Sequence, residues 1–393
     1  MNTANDTFFG NQSTTLSDLL VEDSFADNSF DFTQTAEVDP MGVPYFELNS
    51  SVSAPTPIIN EDIGEPALFK KMEKIIEAVD AYSWARGEMG GLDWGFPQYN
   101  EAFEGLNTGV TLFAGGSNVG KSGMLAEIGW KVAKANSFID ENHPKKAFVL
   151  YFSLDDSCNE LIPRVIAIDQ RIKINAVRFP KKYSHIGELM DKRAQGIQAL
   201  KDSVAHFAMI DANEGQSIEH IEKTMMEYKD MLETHFPEEY TLVAIIDNFH
   251  DISVDKKGYT EENARIDHIA GELTNLATRF DSPIICSAEF RKINVFKRPQ
   301  LDDIKSSGKA VYEAKAILLC HNDVGVKGEQ AQVYWEVEEQ GEIVKMPIFE
   351  TQIAKNKFSS FKGRVLFRFT PEISSFDELP KEEARKYIQL IAS

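Results

Sequence analysis

Apolar and polar residues fall into two alternating patterns from residue 91 onward. Short runs that are apolar throughout are typical of parallel strands covered on both faces; they are residues 110–114, 147–153, 206–210, 242–246, 283–287 and 316–320. Helical patterns fill the intervals, notably at 122–135, 218–234 and 261–280. This alternation predicts an α/β fold with a mostly parallel central sheet. Residues 333–369 instead predict antiparallel strands added at the C-terminal edge of that sheet.

The first 65 residues show neither pattern. They hold twelve acidic residues and no Lys or Arg, the first basic residue being Lys70. Such a segment buries too little apolar surface to offset the entropy lost on ordering, so we expect a disordered acidic tail. Phe25, Phe30 and Phe32 lie between acids, as in segments that dock on basic partners. The tail is therefore either a solubilising segment or a docking segment for a basic partner.

A different pattern occupies residues 66–89. Apolar residues recur there at three- and four-residue spacing and predict a helix with one apolar stripe, made of Leu68, Phe69, Met72, Ile75, Ile76 and Val79. The stripe packs either on its own domain or on a neighbouring subunit. We thus predict a tail over 1–65, an amphipathic linker helix over 66–89 and one large domain over 90–393.

The charge of the chain limits its partners. Its 393 residues include 62 acidic and 41 basic ones, a formal net charge of −21. Proteins that coat nucleic acid without specificity are usually basic, so that class is excluded, whereas a local basic channel is still compatible. Cys158, Cys286 and Cys320 are scattered and odd in number, which favours neither a disulfide framework nor a zinc site. With no signal peptide or membrane span in view, we expect a cytoplasmic protein without a membrane partner.

A glycine-rich segment follows the first apolar run. Its pattern, Gly, four residues and then Gly-Lys-Ser, is that of a phosphate-binding loop, in which main-chain N–H groups and the next helix N-terminus hold phosphates. We predict that Lys121 reaches the β- and γ-phosphates and that the Ser122 hydroxyl binds Mg²⁺. The predicted nucleotide-binding residues are Gly115, Gly116, Ser117, Asn118, Val119, Gly120, Lys121 and Ser122.

Two further apolar runs lead into carboxylates. Asp247 follows 242–246, and a phosphate-loop enzyme needs such an aspartate to hold its metal ion. Asp155 and Asp156 follow 147–153, and hydrolysis needs a group that activates the attacking water. Asp155 is the first candidate for that group and Asp156 the second, a helix cap being the alternative role.

Taken in order, six segments resemble the ATPase domain of DnaB-type replicative helicases, a branch of the RecA-like hexameric motors. They are residues 95–109, 149–164, 247–250, 297–299, 303–308 and 353–357, and the resemblance spans about 90–375. It implies a RecA-like phosphate-loop NTPase fold, with ATP and Mg²⁺ as cofactors. It also implies single-stranded DNA as a partner and assembly into a homo-oligomer, which we expect to be a hexamer.

The resemblance also implies roles for single residues. Lys305, Ser306 and Gly308 match a loop that faces single-stranded DNA in the family, and Arg291 is assigned to the same DNA-facing region. Lys355 and Lys357 match a pair that reaches across the subunit interface to the neighbour's nucleotide; a solvated β-hairpin is the alternative. Lys121, Ser122 and Asp247 keep the phosphate and metal roles above, and Asp155 takes the place of the water-activating glutamate.

Several positions depart from the family pattern. Asp155 stands where the family has Glu, one methylene longer, and Lys357 where it has an arginine finger. Ala288 replaces a Gln that senses the γ-phosphate, and Glu289 follows it. Glu289 is either a substituted base or a charge in the DNA-facing loop.

Three functions follow from these observations. The first is an ATP-driven ring-forming motor on single-stranded DNA, a DnaB-like helicase whose tail recruits a basic replication or recombination partner. The second is a RecA-like recombination or annealing ATPase, favoured because we expect the tail and linker in place of the family's N-terminal helical domain. The third is a weakly hydrolysing nucleotide-binding scaffold, motivated by the substitutions at Asp155, Ala288 and Lys357.

Overall fold

The structure is a computed structural model that describes residues 67–85, 89–140, 145–236, 239–255, 258–259, 261–291, 297–305, 308–339 and 341–392. It divides into two units, 1–85 and 86–393. The expected acidic tail lies outside the described residues. Within them, no helix is both long and apolar enough to cross a bilayer.

The larger unit is built on one sheet. Its strands are β1 (Gly109–Gly115), β2 (Lys146–Ser153), β3 (Phe207–Asp211), β4 (Tyr240–Asp247), β5 (Pro283–Glu289), β6 (Ala316–Asn322), β7 (Tyr334–Glu339), β8 (Glu342–Asn356), β9 (Arg364–Thr370) and β10 (Ser375–Glu378). The strand order is β10-β9-β8-β6-β1-β5-β4-β2-β3, and β7 pairs with β8. β1 to β6 pair in parallel, whereas β7 to β10 join in antiparallel fashion. The expected α/β class, with antiparallel strands added after β6, is confirmed.

Helices cover both faces of this sheet. They are α2 (Pro97–Phe103), α3 (Lys121–Ala135), α4 (Cys158–Gln170), α5 (Ile174–Arg178), α6 (Pro180–Tyr183), α7 (Gly187–Asp202), α8 (Ile218–His235), α9 (Glu262–Arg279), α10 (Gly308–Glu313), α11 (Asp323–Lys327) and α12 (Lys381–Ala392). The apolar pattern did not single out α4 to α7. In α7 only Gly196 is buried, so that helix has little apolar contrast for a sequence pattern to reveal.

Two apolar clusters hold the layers together. Alternate side chains of β1 point to opposite faces, so Phe113 belongs to one cluster and Leu112 to the other. The first cluster packs the sheet against α3 and α2, and it contains the fully buried Trp94 and Tyr99. Since β1 is buried along its whole length, the loop that follows it extends from a rigid support.

The smaller unit consists of α1 (Ala67–Ala85) as far as it is described. A helix therefore lies within the segment 66–89 for which we predict a linker helix, and its role as a linker stays a prediction. Phe69, Met72, Ile76 and Val79 recur along it at helical spacing and are 45–56% exposed. The partner of this stripe stays a prediction.

Candidate nucleotide site

The predicted phosphate loop joins β1 to α3, the strand-loop-helix arrangement that such a loop requires. Gly120 has a φ of +112° and Asn118 a φ of +61°, which turn the chain into the helix. A Cβ atom on Gly115 would lie 3.0–3.1 Å from side-chain atoms of Val119, Cys320 and Lys121. The loop therefore depends on glycine at 115 for space and at 120 for conformation.

The Lys121 ammonium lies against the loop itself. Its Nζ donates to the main-chain oxygens of Gly115 at 3.1 Å and Gly116 at 2.8 Å. On the other side, the Asn322 amide donates to the Val119 oxygen at 3.3 Å and ties the loop to β6. The cation thus lies against the loop at the N-terminus of α3, and a helix N-terminus beside a cation suits phosphate.

Asp247 ends β4 and is 4% exposed. Its Oδ2 accepts a hydrogen bond from the Tyr151 hydroxyl at 3.2 Å, and its Oδ1 accepts one from the Ser287 hydroxyl. Burial raises the pKa of Tyr151 well above its usual value, and the Asp247 carboxylate raises it further. Tyr151 therefore stays a neutral donor that orients the carboxylate.

Asp155 and Asp156 follow β2 and differ in their surroundings. Asp156 forms an ion pair with Arg164 at 2.8 Å, whereas Asp155 is exposed. Both line the same cleft as Lys121 and Asp247. Because Asp156 already has a cationic partner, the structure favours Asp155 of the two for contact with a ligand.

Glu289, which ends β5, lies in this cleft as well. The pKa of the nearby Asp251 shows how close these acids are. Burial raises that pKa, and the carboxylates of Asp155, Glu289 and Asp247 raise it further. Like charges affect one another in this way only at short range. The carboxyl ends of β2, β4 and β5 therefore bring acidic groups together beside the phosphate loop.

The cleft has a volume of about 630 Å³, within the range typical of ligand sites. Its donor set fits Mg²⁺, because Ser122 supplies a hydroxyl and Asp247 a carboxylate, the oxygen ligands that this ion prefers. Among the described residues no three or more His, Cys, Asp or Glu side chains group as metal ligands. Bound phosphates usually complete such a site, so a full protein cage is not required.

Lys355 and Lys357 lie away from this cleft. Lys355 pairs with Ile317 near the start of β6, whereas the phosphate loop follows the carboxyl end of β1. The Lys355 Nζ donates to main-chain oxygens in the last turn of α10, those of Val311 at 2.6 Å and Tyr312 at 2.7 Å. Burial and the nearby Lys357 lower the pKa of Lys355 to about 8. In one chain these lysines do not reach their own nucleotide site.

The expected DNA-facing residues lie on two limbs of one segment. Phe290 and Ile304 form a bridge between the limbs. Beside this bridge, the Arg291 main-chain N–H donates to the Asp303 main-chain oxygen at 2.7 Å. The Lys305 Nζ lies 3.3 Å from the Glu262 Oε1. Gly308 begins α10, and Ser306 lies outside the described residues. The structure thus places Arg291 and Lys305 on either side of this bridge, Arg291 opposite Asp303 and Lys305 opposite Glu289.

One group escaped sequence reasoning. Arg298 forms ion pairs with Asp323 at 2.9 Å and Glu350 at 2.8 Å, although both acids are buried. Burial alone would raise the pKa of Asp323, but hydrogen bonds from His321 and Lys327 hold it well below its usual range. The motif at 297–299 was the only signal in the sequence, and it did not indicate the acidic partners.

Comparison with known proteins agrees with this geometry. Residues 91–378 match the family model described as the DnaB-like helicase C terminal domain. The chain is 24% identical over 298 residues to the replicative DNA helicase DnaB of Mycoplasma genitalium, covering 74% of this chain and 57% of that relative. The chain thus spans little more than half the length of this relative.

Two solved structures share the fold. The ATPase domain of G40P superposes with a TM-score of 0.63 at 19% identity, covering 80% of this chain and 100% of that one. A DnaB-like replicative helicase, described with its interactions with primase, superposes with a TM-score of 0.62, also at 19% identity, covering 80% and 68%.

Proposed function

Because the chain belongs to the family of the DnaB-like helicase C-terminal domain, we propose that it is an ATP-driven, ring-forming motor that acts on single-stranded DNA as a replicative helicase. One observation carries the proposal. The phosphate loop, Asp247, Asp155 and Glu289 line one cleft, whereas Lys355 and Lys357 lie at the far end of the sheet. The residues that bind and hydrolyse ATP are thus divided between two places on the chain, and the lysines of a second copy would complete the cleft of the first.

Within one chain, Lys121 and the loop N–H groups bind the phosphates of ATP. Ser122 and Asp247 hold Mg²⁺, which supplies charge neutralisation at the phosphates when bound. Tyr151 and Ser287 orient the Asp247 carboxylate. Asp155 activates the attacking water.

Across the interface, Lys357 acts on the neighbour's nucleotide. It is exposed, and its Nζ lies 5.4 Å from the Tyr312 ring centroid. Lys offers a point charge where a planar Arg fork gives a more specific contact, so we expect slower hydrolysis than an arginine finger supports. Lys355, engaged with α10, supports this edge.

DNA contact is assigned to Arg291, Lys305, Ser306 and Gly308, which lie in the segment after β5. A ring of such segments follows phosphates locally even though the chain carries a net charge of −21. We assign the acidic tail to a basic replication or recombination partner.

Steady-state ATP hydrolysis with and without single-stranded DNA tests the proposal. Lys121→Ala should abolish turnover, because the variant removes the cation at the phosphates. Lys134→Ala is the matched control, since Lys134 lies on the same helix, is about half exposed and pairs with Asp169 rather than with the phosphate loop. We expect DNA to stimulate the wild type and Lys134→Ala alike, and wild-type turnover in Lys121→Ala would contradict the phosphate-loop assignment.

Unwinding of a forked duplex then separates the proposal from its alternatives. Strand separation that requires ATP supports the helicase. Stimulated hydrolysis without unwinding supports a recombination or annealing ATPase. ATP binding with turnover no higher than in Lys121→Ala supports a scaffold, the reading that the substituted Asp155, Ala288 and Lys357 favour.

A further inference from the structure

His250 lies in a short 3-10 turn, Phe249–Asp251, directly after β4. It is 7% exposed. Its main-chain N–H donates to the Asn248 side chain at 2.7 Å, and its main-chain oxygen accepts from Arg265 at 3.1 Å. These contacts fix the main chain of His250 between the ends of β4 and β5.

The imidazole completes a closed ring of three hydrogen bonds. The Glu289 N–H donates to His250 Nδ1 at 3.3 Å, and His250 Nε2 contacts the Lys305 main-chain oxygen. The Lys305 N–H in turn donates to the Glu289 main-chain oxygen at 2.8 Å. Since a carbonyl oxygen can only accept, Nε2 carries the proton and Nδ1 is the acceptor. Burial lowers the pKa of His250, which also favours this neutral form.

This ring joins two regions with different assigned roles. Glu289 lines the nucleotide cleft, and Lys305 lies on the limb of the segment assigned to DNA. The neighbouring Ala288 has no polar side chain with which to sense a nucleotide. Besides the direct main-chain hydrogen bond between Lys305 and Glu289, a polar link from the cleft to the segment runs through the side chain of His250, which contacts both residues.

We infer that His250 is a positioning residue that couples the nucleotide cleft to the DNA-facing segment. A change at Glu289 when nucleotide binds moves His250, and His250 moves the Lys305 limb with it. This inference rests on the proposed function, because it needs both ligands. Coupling between two sites is reciprocal and typically changes affinity about 5- to 150-fold, so it is measured as the effect of nucleotide on DNA binding.

The test measures the Kd of labelled single-stranded DNA with and without a non-hydrolysable ATP analogue. His250→Leu keeps the bulk of the side chain and removes both hydrogen bonds, so the ratio of the two Kd values should fall at least about fivefold. His250→Gln, which has one acceptor and one donor at its end, should restore part of the ratio. His268→Leu is the control. His268 stacks on Tyr259 and lies beside Glu272, and neither residue is assigned to the nucleotide cleft or to the DNA-facing segment.

A purely structural role would change both Kd values and leave their ratio unchanged, and that outcome overturns the inference. If His250→Leu fails to fold, His250→Asn replaces it: this variant is polar but too short to reach both partners, and it should lower the ratio as well. A wild type that binds DNA without regard to nucleotide overturns the proposed function and the inference together. If His250→Leu shows the same ratio of DNA Kd values as the wild type, the inference is overturned and the proposed function is not.

Discussion

Three carboxylates beside the phosphate loop compete for the role of activating water, and their surroundings separate them. Asp156 is paired with Arg164, Asp155 is exposed in the cleft, and Glu289 ends the neighbouring strand. Asp155 has a side chain one methylene shorter than the glutamate of the family. A displacement of about 1 Å in such a group can cost ~10²-fold in rate, so Glu289 is the alternative if Asp155 fails.

At the residue scale we predict that Asp155→Asn lowers kcat about 10²-fold or more while the Kd for nucleotide stays within a few-fold, because the general base contributes mainly in the transition state. Asp156→Asn is the matched control, and we expect a small effect because Asp156 is occupied by Arg164. Hydrolysis and nucleotide binding are measured on both variants. Near-normal turnover in Asp155→Asn would move the role to Glu289, which Glu289→Gln would then test.

At the scale of elements, the buried ion cluster around Arg298 connects the segment after β5 to β6 and β8. Asp323 begins α11 directly after β6, and Glu350 lies within β8. Asn322, next to Asp323, holds the phosphate loop through Val119. The cluster therefore fastens the segment after β5 to β6 and β8, and through Asn322 to the nucleotide loop, in addition to the contacts that the strand order provides.

We predict that Arg298→Met lowers the free energy of unfolding by about 3 kcal/mol, because it removes the cation that pairs with the buried Glu350 at 2.8 Å, whereas Asp323 keeps its ion pair with Lys327. Arg171→Met is the control: Arg171 pairs with Asp377 at 2.8 Å, but both are about half exposed, so a loss of about 0–1 kcal/mol is expected. Denaturant unfolding of both variants measures the difference. Equal losses would mean that the buried cluster contributes no more than a surface ion pair.

At the scale of the whole molecule, the separation between the cleft and Lys357 predicts that active sites form between subunits. Lys355 and Lys357 lie near the amino end of β6, and the cleft lies at the carboxyl ends of the parallel strands. A cation at one end of a subunit meets the cleft of the next when copies assemble head to tail, and such contacts form a ring when the rotation between copies closes and a filament when it does not.

We predict that Lys357→Ala retains ATP binding and loses turnover, since the cation stabilises transition-state charge from the neighbouring subunit. Mixing the variant with wild-type subunits should reduce hydrolysis in a dose-dependent way, because each variant subunit disables its neighbour's site. Lys345→Ala, which removes a partly exposed lysine on the β7–β8 hairpin, serves as the control. Mixing Lys357→Ala with Lys121→Ala subunits should restore part of the turnover, because a site with an intact phosphate loop then meets a neighbour with an intact Lys357; no recovery in this mixture would contradict a role across the interface.

Much of the site was predictable from local pattern. The apolar runs located β1 to β6, because a strand buried on both faces must be apolar along its length. The glycine-lysine-serine spacing located the phosphate loop, and Asp247 and Asp155 were found at strand ends, since parallel strands bring their carboxyl ends to one edge. β10 escaped notice, because its four residues are too few for a periodic pattern to be distinguished.

What the sequence determined by itself was chemistry that depends on neighbours along the chain: the phosphate loop, the apolar strands and the family resemblance. Only the tertiary structure decided which distant groups meet. It paired Asp156 with Arg164, placed Glu289 in the cleft, buried Arg298 between two acids and set His250 between Glu289 and Lys305. These contacts join residues up to 55 positions apart, and spacing along the chain carries no information about such approaches, because they depend on strand order and on how the loops pack.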